Sequence, residues 1–218
     1  MIDSLLYLTA SHLDILFNVC LCARFLSNPK ESHLKAVKRI LRYLKDTIDY
    51  GLFYPKQPSF DLISYSDADF VGSKSDRKST SGMCHLLGHS LVSWFRKKQN
   101  FVSLSTSEAE YIAASLACTH ALWMKQTLKD FDILYQTTPI YCDNTSAINL
   151  SKNLVNHSRT KHIDIRHHFL RDEVFKGTIK LDFVPTHKQL VDIFTKPLKN
   201  EYLIRIRREI GICRLCDL

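Results

Sequence analysis

A strand-like segment that ends in an acid, Phe60 to Asp67, is the feature that most constrains the fold of this chain. Alternation along it places Ile63, Tyr65 and Asp67 on one face of a strand. A carboxylate on the same face as these two side chains is partly desolvated, which is costly unless a cation or a hydrogen-bond donor meets it. The segment therefore predicts a core strand with a charged end and a compensating partner nearby.

The segments that follow predict a mixed-sheet α/β domain. A loop rich in turn residues and hydroxyls, Gly72 to Gly82, leads into two strand-like segments separated by the hairpin signal Gly88 to Ser90. The longest helical pattern, Ser105 to Phe131, carries alanines four residues apart, which suit close packing on a sheet. Strand, helix, helix, strand and helix follow in turn. An antiparallel meander thus continues into β-α-β units, which gathers strand-end carboxylates near one edge of the sheet.

Both ends of the chain predict further helices. Residues 1 to 58 are helical in pattern, and the second helix has an apolar stripe at spacings of three and four: Leu34, Val37, Leu41 and Leu44. Lysines and arginines fill its other faces, which indicates either a solvated basic surface or a helix that lays cations along a phosphate backbone. Near the C-terminus, Thr186 with Gln189 predicts a capping box for the last helix, which Pro197 ends.

Charge and cysteine content narrow the class of protein. The net charge of +8 and the pI near 9.1 favour a polyanionic partner such as nucleic acid. Seven cysteines show no framework spacing, and their two close pairs lack the second pair of a zinc site, which predicts a reduced, intracellular protein. The most apolar stretch, Leu13 to Leu26, is shorter than the roughly 20 residues of a membrane span and contains charges. No membrane partner is therefore expected.

Four acids stand at predicted strand ends or on the inner faces of predicted helices: Asp67, Glu110, Asp143 and Asp192. Oxygen-only ligands of this kind suit hard divalent cations, Mg²⁺ above all. Two such ions about 4 Å apart would clamp the attacking and leaving oxygens of a phosphodiester. The four acids together predict a metal-dependent site for phosphodiester chemistry.

Each acid also has a structural interpretation. Asp67 can cap the following loop, Asp143 can cap the following helix, and Asp192 can be a helix surface acid. Glu110 can complete a capping box with the serine three residues before it. An alternative box, Ser105 with Glu108, starts the helix earlier and leaves Glu110 to face the sheet.

Eight segments in order resemble the ribonuclease H domain of copia-type LTR retrotransposon Pol polyproteins: Tyr65–Gly72, Asp76–Gly82, Val92–Trp94, Lys97–Gln99, Leu104–Tyr111, Tyr141–Asn144, Thr160–Arg166 and Asp192–Pro197. The resemblance implies a ribonuclease H-like domain over residues 59–198, with a five-stranded mixed sheet flanked by helices. It identifies residues 1–58 as a helical remnant of the end of a reverse transcriptase, and leaves 199–218 as a C-terminal tail. Polymerase activity is not expected, because the aspartate motif of the polymerase is absent from this sequence.

The resemblance also implies an activity and its residues. It predicts an endoribonuclease that cuts the RNA strand of an RNA·DNA hybrid with two Mg²⁺ ions. Asp67 would bridge both ions, and Glu110, Asp143 and Asp192 would complete the catalytic, metal-binding set. The hybrid, whose minor groove is wide and displays 2′-hydroxyls, would lie on residues of the basic loop, the hairpin and the helix after Asp143: Lys74, Arg77, Lys78, Arg96, Lys97, Lys98 and Asn144.

Several expectations follow from this family and from departures from it. The partners would be the rest of the Pol polyprotein, including reverse transcriptase and integrase, in a cytoplasmic virus-like particle or the nucleus. His187 is a candidate for a mobile active-site histidine, and His162, His167 and His168 for packing or hybrid contacts. The sequence near residue 11 departs from the family pattern. The alternatives are therefore a decayed fragment that only binds nucleic acid, or an unstable product whose N-terminal helices lack their partner.

Overall fold

A computed structural model of the protein describes residues 1–56, 59–73, 76–152 and 165–217, with 165–168 and 217 as backbone only. The helices are α1 (Ile2–Leu8), α2 (Leu16–Ala23), α3 (Glu31–Asp46), α4 (Thr106–Lys129), α5 (Thr145–Lys152), α6 (Ile165–Phe175), α7 (Asp192–Thr195) and α8 (Asn200–Glu209). The strands are β1 (Tyr50–Leu52), β2 (Leu62–Asp69), β3 (Thr80–Leu87), β4 (Ser90–Lys98), β5 (Thr138–Cys142), β6 (Ile179–Phe183) and β7 (Ile212–Arg214). Among the described residues, no helix is both long and apolar enough to cross a membrane.

The main sheet has five strands in the order β4-β3-β2-β5-β6. Strands β2, β3 and β4 pair antiparallel, whereas β5 pairs parallel to β2 and to β6. The mixed five-stranded sheet flanked by helices is therefore confirmed. Because β2 and β5 are parallel neighbours, their carboxyl ends meet at one edge of the sheet and bring Asp67 and Asp143 together.

Helices α4, α5 and α6 cover one face of the sheet. The alanine stripe of α4 packs as predicted, with Ala113, Ala117 and Ala121 fully buried. The start of α4 also follows the predicted capping box. The Ser105 hydroxyl accepts the Glu108 amide at 3.2 Å, and the Glu108 carboxylate accepts the Leu104 amide at 2.7 Å. Glu108 therefore serves the helix end.

The N-terminal helices and the C-terminal segment cover the other face of the sheet. Leu13 and Leu16 share a core with Cys84 of β3 and with Ile206 of α8. The indole of Trp94 donates to the Thr9 carbonyl at 3.0 Å. Strand β1 pairs with β7 near the C-terminus. Part of residues 1–56 therefore shares a core with the sheet, while α1, α2 and α3 also form a small core of their own. The predicted tail contains a helix and a strand.

Two local predictions differ from the structure, the first in part and the second altogether. In α3 the buried side chains are Val37 and Ile40, while Leu34 and Leu41 are each 44% exposed, because the helix packs against α1 and α2 on a rotated face. The capping box of Thr186 with Gln189 does not form. The Thr186 hydroxyl donates to Asp143, the Gln189 amide donates to the Ser66 carbonyl, and α7 is a single turn that begins at Asp192.

A buried histidine in β3 makes the stability of this fold depend on pH. His85 is fully buried, its Nδ1 lies 2.7 Å from the Ser64 hydroxyl, and its ring stacks with His120. Burial, with the nearby His120, lowers the pKa of His85 to about 3. The unfolded chain binds this proton near pH 6.5, so stability is lost as pH falls below that value.

We expect protonation of His85 in the unfolded chain to remove about 1.6 kcal/mol of folding free energy between pH 6.5 and pH 5. Urea unfolding of the wild type and of His85→Gln at both pH values measures this contribution as the difference between the two pH dependences. Glutamine keeps a hydrogen-bond partner for Ser64 but does not titrate. The same pH dependence in both proteins would contradict the expectation.

Candidate active site

Asp67 is completely buried at the carboxyl end of β2, and the chain supplies its partners. The Thr195 hydroxyl donates to its Oδ2, and Lys196 Nζ lies 2.9 Å from its Oδ1. Burial raises the pKa of the Asp67 carboxyl, and the contacts with Lys196 and Thr195 oppose that rise. In this structure the compensating cation predicted beside Asp67 is therefore a lysine.

Lys196 contacts a second predicted acid at the same time. Its Nζ lies 2.8 Å from Oδ1 of Asp192, which begins the short helix α7. Burial, and then the charge of Asp67, raise the pKa of Asp192 to about 6. Burial disfavours the charged lysine, but the two carboxylates outweigh it and raise the Lys196 pKa. Lys196 thus bridges Asp67 and Asp192 as an ammonium ion.

Glu110 and Asp143 form the other half of the site. Ligand atoms of Glu110, Cys142 and Asp143 all lie within 4.8 Å of one another. Burial, and then the charges of Asp67 and Asp143, raise the pKa of Glu110 well above its usual value. The Thr186 hydroxyl donates to Asp143 at 2.9 Å and holds that carboxylate at the end of β5.

The four predicted acids thus come together from four separate elements. Lys196 contacts Asp67 and Asp192 directly, and the Glu110 pKa responds to Asp67, Asp143 and Lys196. Asp67 therefore belongs both to the half of the site with Asp192 and to the half with Glu110 and Asp143. Lys196, Thr195 and Thr186 were missed as site residues in the sequence. The signal for the first two was present, since they adjoin Asp192 in the segment Asp192–Pro197.

The donor atoms of this site suit a hard divalent cation. Carboxylate oxygens are the ligands that Mg²⁺ and Mn²⁺ prefer, whereas thiolates favour softer metals. Burial and the neighbouring Glu110 raise the pKa of the Cys142 thiol, which lies 3.9 Å from a Glu110 oxygen. A protonated thiol is a poor ligand. The residues present therefore fit Mg²⁺ with oxygen ligands, and Cys142 fits a hydrogen-bond donor to Glu110.

Some of the predicted nucleic-acid-binding residues are exposed, whereas others make contacts within the chain. Arg77 and Lys97 are exposed to solvent. Lys78 donates to the Asn100 carbonyl at 2.6 Å, and Lys98 pairs with Asp76 at 2.7 Å. These four cations extend from the β2–β3 loop to the end of β4.

Arg96 and Asn144 make intramolecular contacts, and Lys74 lies outside the described residues. The Arg96 guanidinium stacks on the Phe17 ring, with 4.9 Å to the ring centroid. The side-chain Oδ1 of Asn144 accepts the Ala147 amide at 2.9 Å, which caps α5. A role for these residues in binding nucleic acid stays a prediction.

The candidate histidines are placed in part. His187 is exposed on the 3-10 turn Thr186–Lys188, next to the threonine that contacts Asp143. His162 lies outside the described residues, and His167 and His168 are described as backbone only. A mobile role for His187 stays a prediction.

Comparison with known proteins gives relatives among transposon polyproteins. The chain is 41% identical over 215 residues to the retrovirus-related Pol polyprotein from transposon RE1 of Arabidopsis thaliana, covering 98% of this chain and 15% of that protein. It is 39% identical over 196 residues to the Pol polyprotein from transposon TNT 1-94 of Nicotiana tabacum, covering 89% of this chain and 15% of that protein. The chain thus spans less than a sixth of the length of these relatives. No protein-family model matches it.

Among solved structures, the N-terminal RNase H domain of rv2228c from Mycobacterium tuberculosis, a fusion with maltose binding protein, superposes with a TM-score of 0.46. It is 11% identical, and the superposition covers 69% of this chain and 98% of that one. The sequence relatives, at 38–41% identity over 98% of the chain for two of them, are the stronger finding. Over 98% of its length the chain is thus homologous to one segment of the retrovirus-related Pol polyproteins of copia-type transposons.

Proposed function

We propose that this chain is the ribonuclease H part of a Pol polyprotein and cuts the RNA strand of RNA·DNA hybrids. The observation that carries the proposal is the convergence of Asp67, Glu110, Asp143 and Asp192 at the edge of the sheet where β2 and β5 end. Homology to Pol polyproteins supports it. Reverse transcriptase and integrase of the same polyprotein would be its partners.

The four acids would hold two Mg²⁺ ions. Asp67, Glu110 and Asp143 would hold one, and Asp67 with Asp192 the other. Bound there, Mg²⁺ would supply Lewis-acid stabilisation of the charge that develops on the phosphodiester. Hydrolysis of the P–O3′ bond would leave a 5′-phosphate and a 3′-hydroxyl.

The chain's own contribution is to keep these carboxylates oriented. Hydrogen bonds from Thr195 to Asp67 and from Thr186 to Asp143 restrain both strand-end acids. Burial of Asp67 and Glu110 limits the rotamers that their side chains adopt. Metal ligands held in this way lose little conformational entropy when they bind an ion.

Recognition of the hybrid would rest on phosphate contacts. Arg77 and Lys97 are exposed, and Lys78 and Lys98 are partly exposed nearby. Cations of this kind position a nucleic-acid backbone and release counterions, so binding weakens steeply as salt rises. A minor groove that displays 2′-hydroxyls would distinguish the RNA strand.

We expect the purified chain to shorten the labelled RNA of an RNA·DNA hybrid in Mg²⁺ and not in excess EDTA. Double-stranded DNA of the same sequence should stay intact, and double-stranded RNA should be cut much more slowly. Denaturing gels with either strand labelled measure this result. Salt-dependent binding of the hybrid without cleavage in Mg²⁺ or Mn²⁺ would contradict the proposal and favour a fragment that only binds nucleic acid.

A further inference from the structure

The four carboxylates are unequally compensated by the chain. The Lys196 ammonium lies 2.9 Å from Asp67 and 2.8 Å from Asp192. Among the described residues, Glu110 and Asp143 have no ion-pair partner. One half of the site therefore carries a protein cation, while the other half presents carboxylates and a protonated thiol.

A divalent ion shared by Asp67 and Asp192 would lie between their carboxylates. The Lys196 ammonium lies there in this structure, in contact with Oδ1 of each acid. Two cations a few ångströms apart in a partly buried site repel strongly. Metal binding at this half and the observed lysine contacts are therefore mutually exclusive. An ion bound by Glu110 and Asp143 does not need the position of the ammonium. Each carboxylate oxygen has two lone pairs, so Asp67 can join that ion while it keeps its contact with Lys196.

We propose that the Lys196 ammonium occupies the second cation position in the metal-free protein, so that the two metal ions bind in a fixed order. The first ion binds at Asp67, Glu110 and Asp143, and the second binds between Asp67 and Asp192 after Lys196 withdraws. The inference rests on the proposed function, since it takes the four acids as metal ligands. It adds a positioning residue that sets the affinity of the second ion.

The structure offers the lysine a place to withdraw to. Its side chain is 31% exposed. It borders a cavity of about 330 Å³ between the N-terminal helices and the segment after α7, which Phe17, Asn18 and Pro197 also line. Asn18 offers a polar partner there, and Phe17 an apolar surface for the aliphatic stem. Withdrawal therefore needs a side-chain rotation rather than a rearrangement of the sheet.

Lys196 also has a role when no metal is bound. Asp67 is completely buried, and removing one partner of a buried ion pair is strongly destabilising. Lys196 thus stabilises the metal-free fold at the expense of affinity for the second ion. Replacing Lys196 should lower the stability of the metal-free protein and raise its affinity for the second ion. Replacing a purely structural lysine would lower the stability alone.

The test counts Mn²⁺ ions bound to the nucleic-acid-free protein by EPR of the unbound ion, with thermal unfolding in parallel. Wild type, Lys196→Met and the exposed control Lys199→Met are compared. We expect the second Mn²⁺ to bind Lys196→Met at least roughly tenfold more tightly than wild type. The melting temperature of the metal-free variant should fall by roughly 5–10 °C and largely recover in Mn²⁺. An unchanged second affinity would overturn the proposal.

A measurement on the wild type covers the case in which Lys196→Met does not fold. Reductive methylation followed by mass spectrometry reports how accessible each lysine is. We expect labelling of Lys196 to rise severalfold in millimolar Mn²⁺ while labelling of Lys199 stays constant. No rise, or a fall, would show that the lysine keeps its contacts in the presence of metal and would overturn the proposal.

These measurements separate the inference from the proposed function. Neither includes nucleic acid, so ordered metal binding without hybrid cleavage would contradict the proposed activity and leave the lysine's role intact. Cleavage of hybrid together with two ions that bind independently of Lys196 would do the reverse.

Discussion

Asp67→Asn is expected to lower the rate of hybrid cleavage by at least roughly 10³-fold, which is about 4 kcal/mol of transition-state stabilisation. Asp67 belongs to both halves of the carboxylate cluster, so the substitution weakens both proposed metal positions at once. Asparagine has the same shape, and its one amide oxygen can still accept from either Lys196 or Thr195, so the fold should persist. Single-turnover cleavage, with circular dichroism to check folding, measures the effect.

Asp69→Asn is the matched control for this prediction. Asp69 lies two residues further along β2, its carboxylate is half-buried, and its Oδ2 approaches Gly72. Because it has no role in the proposed metal set, cleavage should stay within about tenfold of wild type. A loss as large as that of Asp67→Asn would mean that the catalytic aspartate of β2 had been misassigned.

Gly82→Ala is expected to damage the fold and the site together. Gly82 pairs with Asp67 across the β2–β3 ladder. A Cβ there would lie 2.6 Å from Thr195 Cγ2 and 2.7 Å from Val191 Cγ1, so α7 or its side chains must move. Both neighbours are β-branched and stiff, and rotation of Thr195 would break its hydrogen bond to Asp67. The expected cost is about 1–3 kcal/mol of stability.

Cleavage by Gly82→Ala should fall by about tenfold or more, because displacement of α7 also moves Asp192 and Lys196. Urea unfolding and single-turnover cleavage measure the two effects. Gly51→Ala is the control glycine, since a Cβ at that position meets no atom within 4 Å. Equal behaviour of the two variants would contradict the steric argument.

Local pattern was sufficient where an element depends on neighbours in sequence. The Ser105–Glu108 capping box and the alanine stripe of α4 involve residues within a few turns of one helix, and both form as predicted. The order of the main-sheet strands and helices along the chain was also predicted, since alternation and turn residues are local signals. Prediction failed in part at α3, where Val37 is buried as predicted but tertiary packing on α1 and α2 selected Ile40 over Leu41.

Long-range polar contacts escaped prediction for a physical reason. Thr186 and Gln189 have the spacing of a capping box, but their side chains bind Asp143 and the Ser66 carbonyl, which are 43 and 123 residues away. The Ser66 carbonyl is buried, and leaving a buried acceptor without a donor costs more free energy than leaving a helix end to be capped by water. No periodicity in the sequence contains that competition.

The sequence by itself determined the class of fold, the four acids and the need for a cation beside Asp67. These follow from local patterning, from motifs, and from the cost of burying a charge. The tertiary structure alone decided which cation is present and how the acids are grouped. Lys196 reaches Asp67 across 129 residues, and it reaches Asp192 because the two lie one turn apart. Only the packing of α7 against the sheet brings these charges within contact distance.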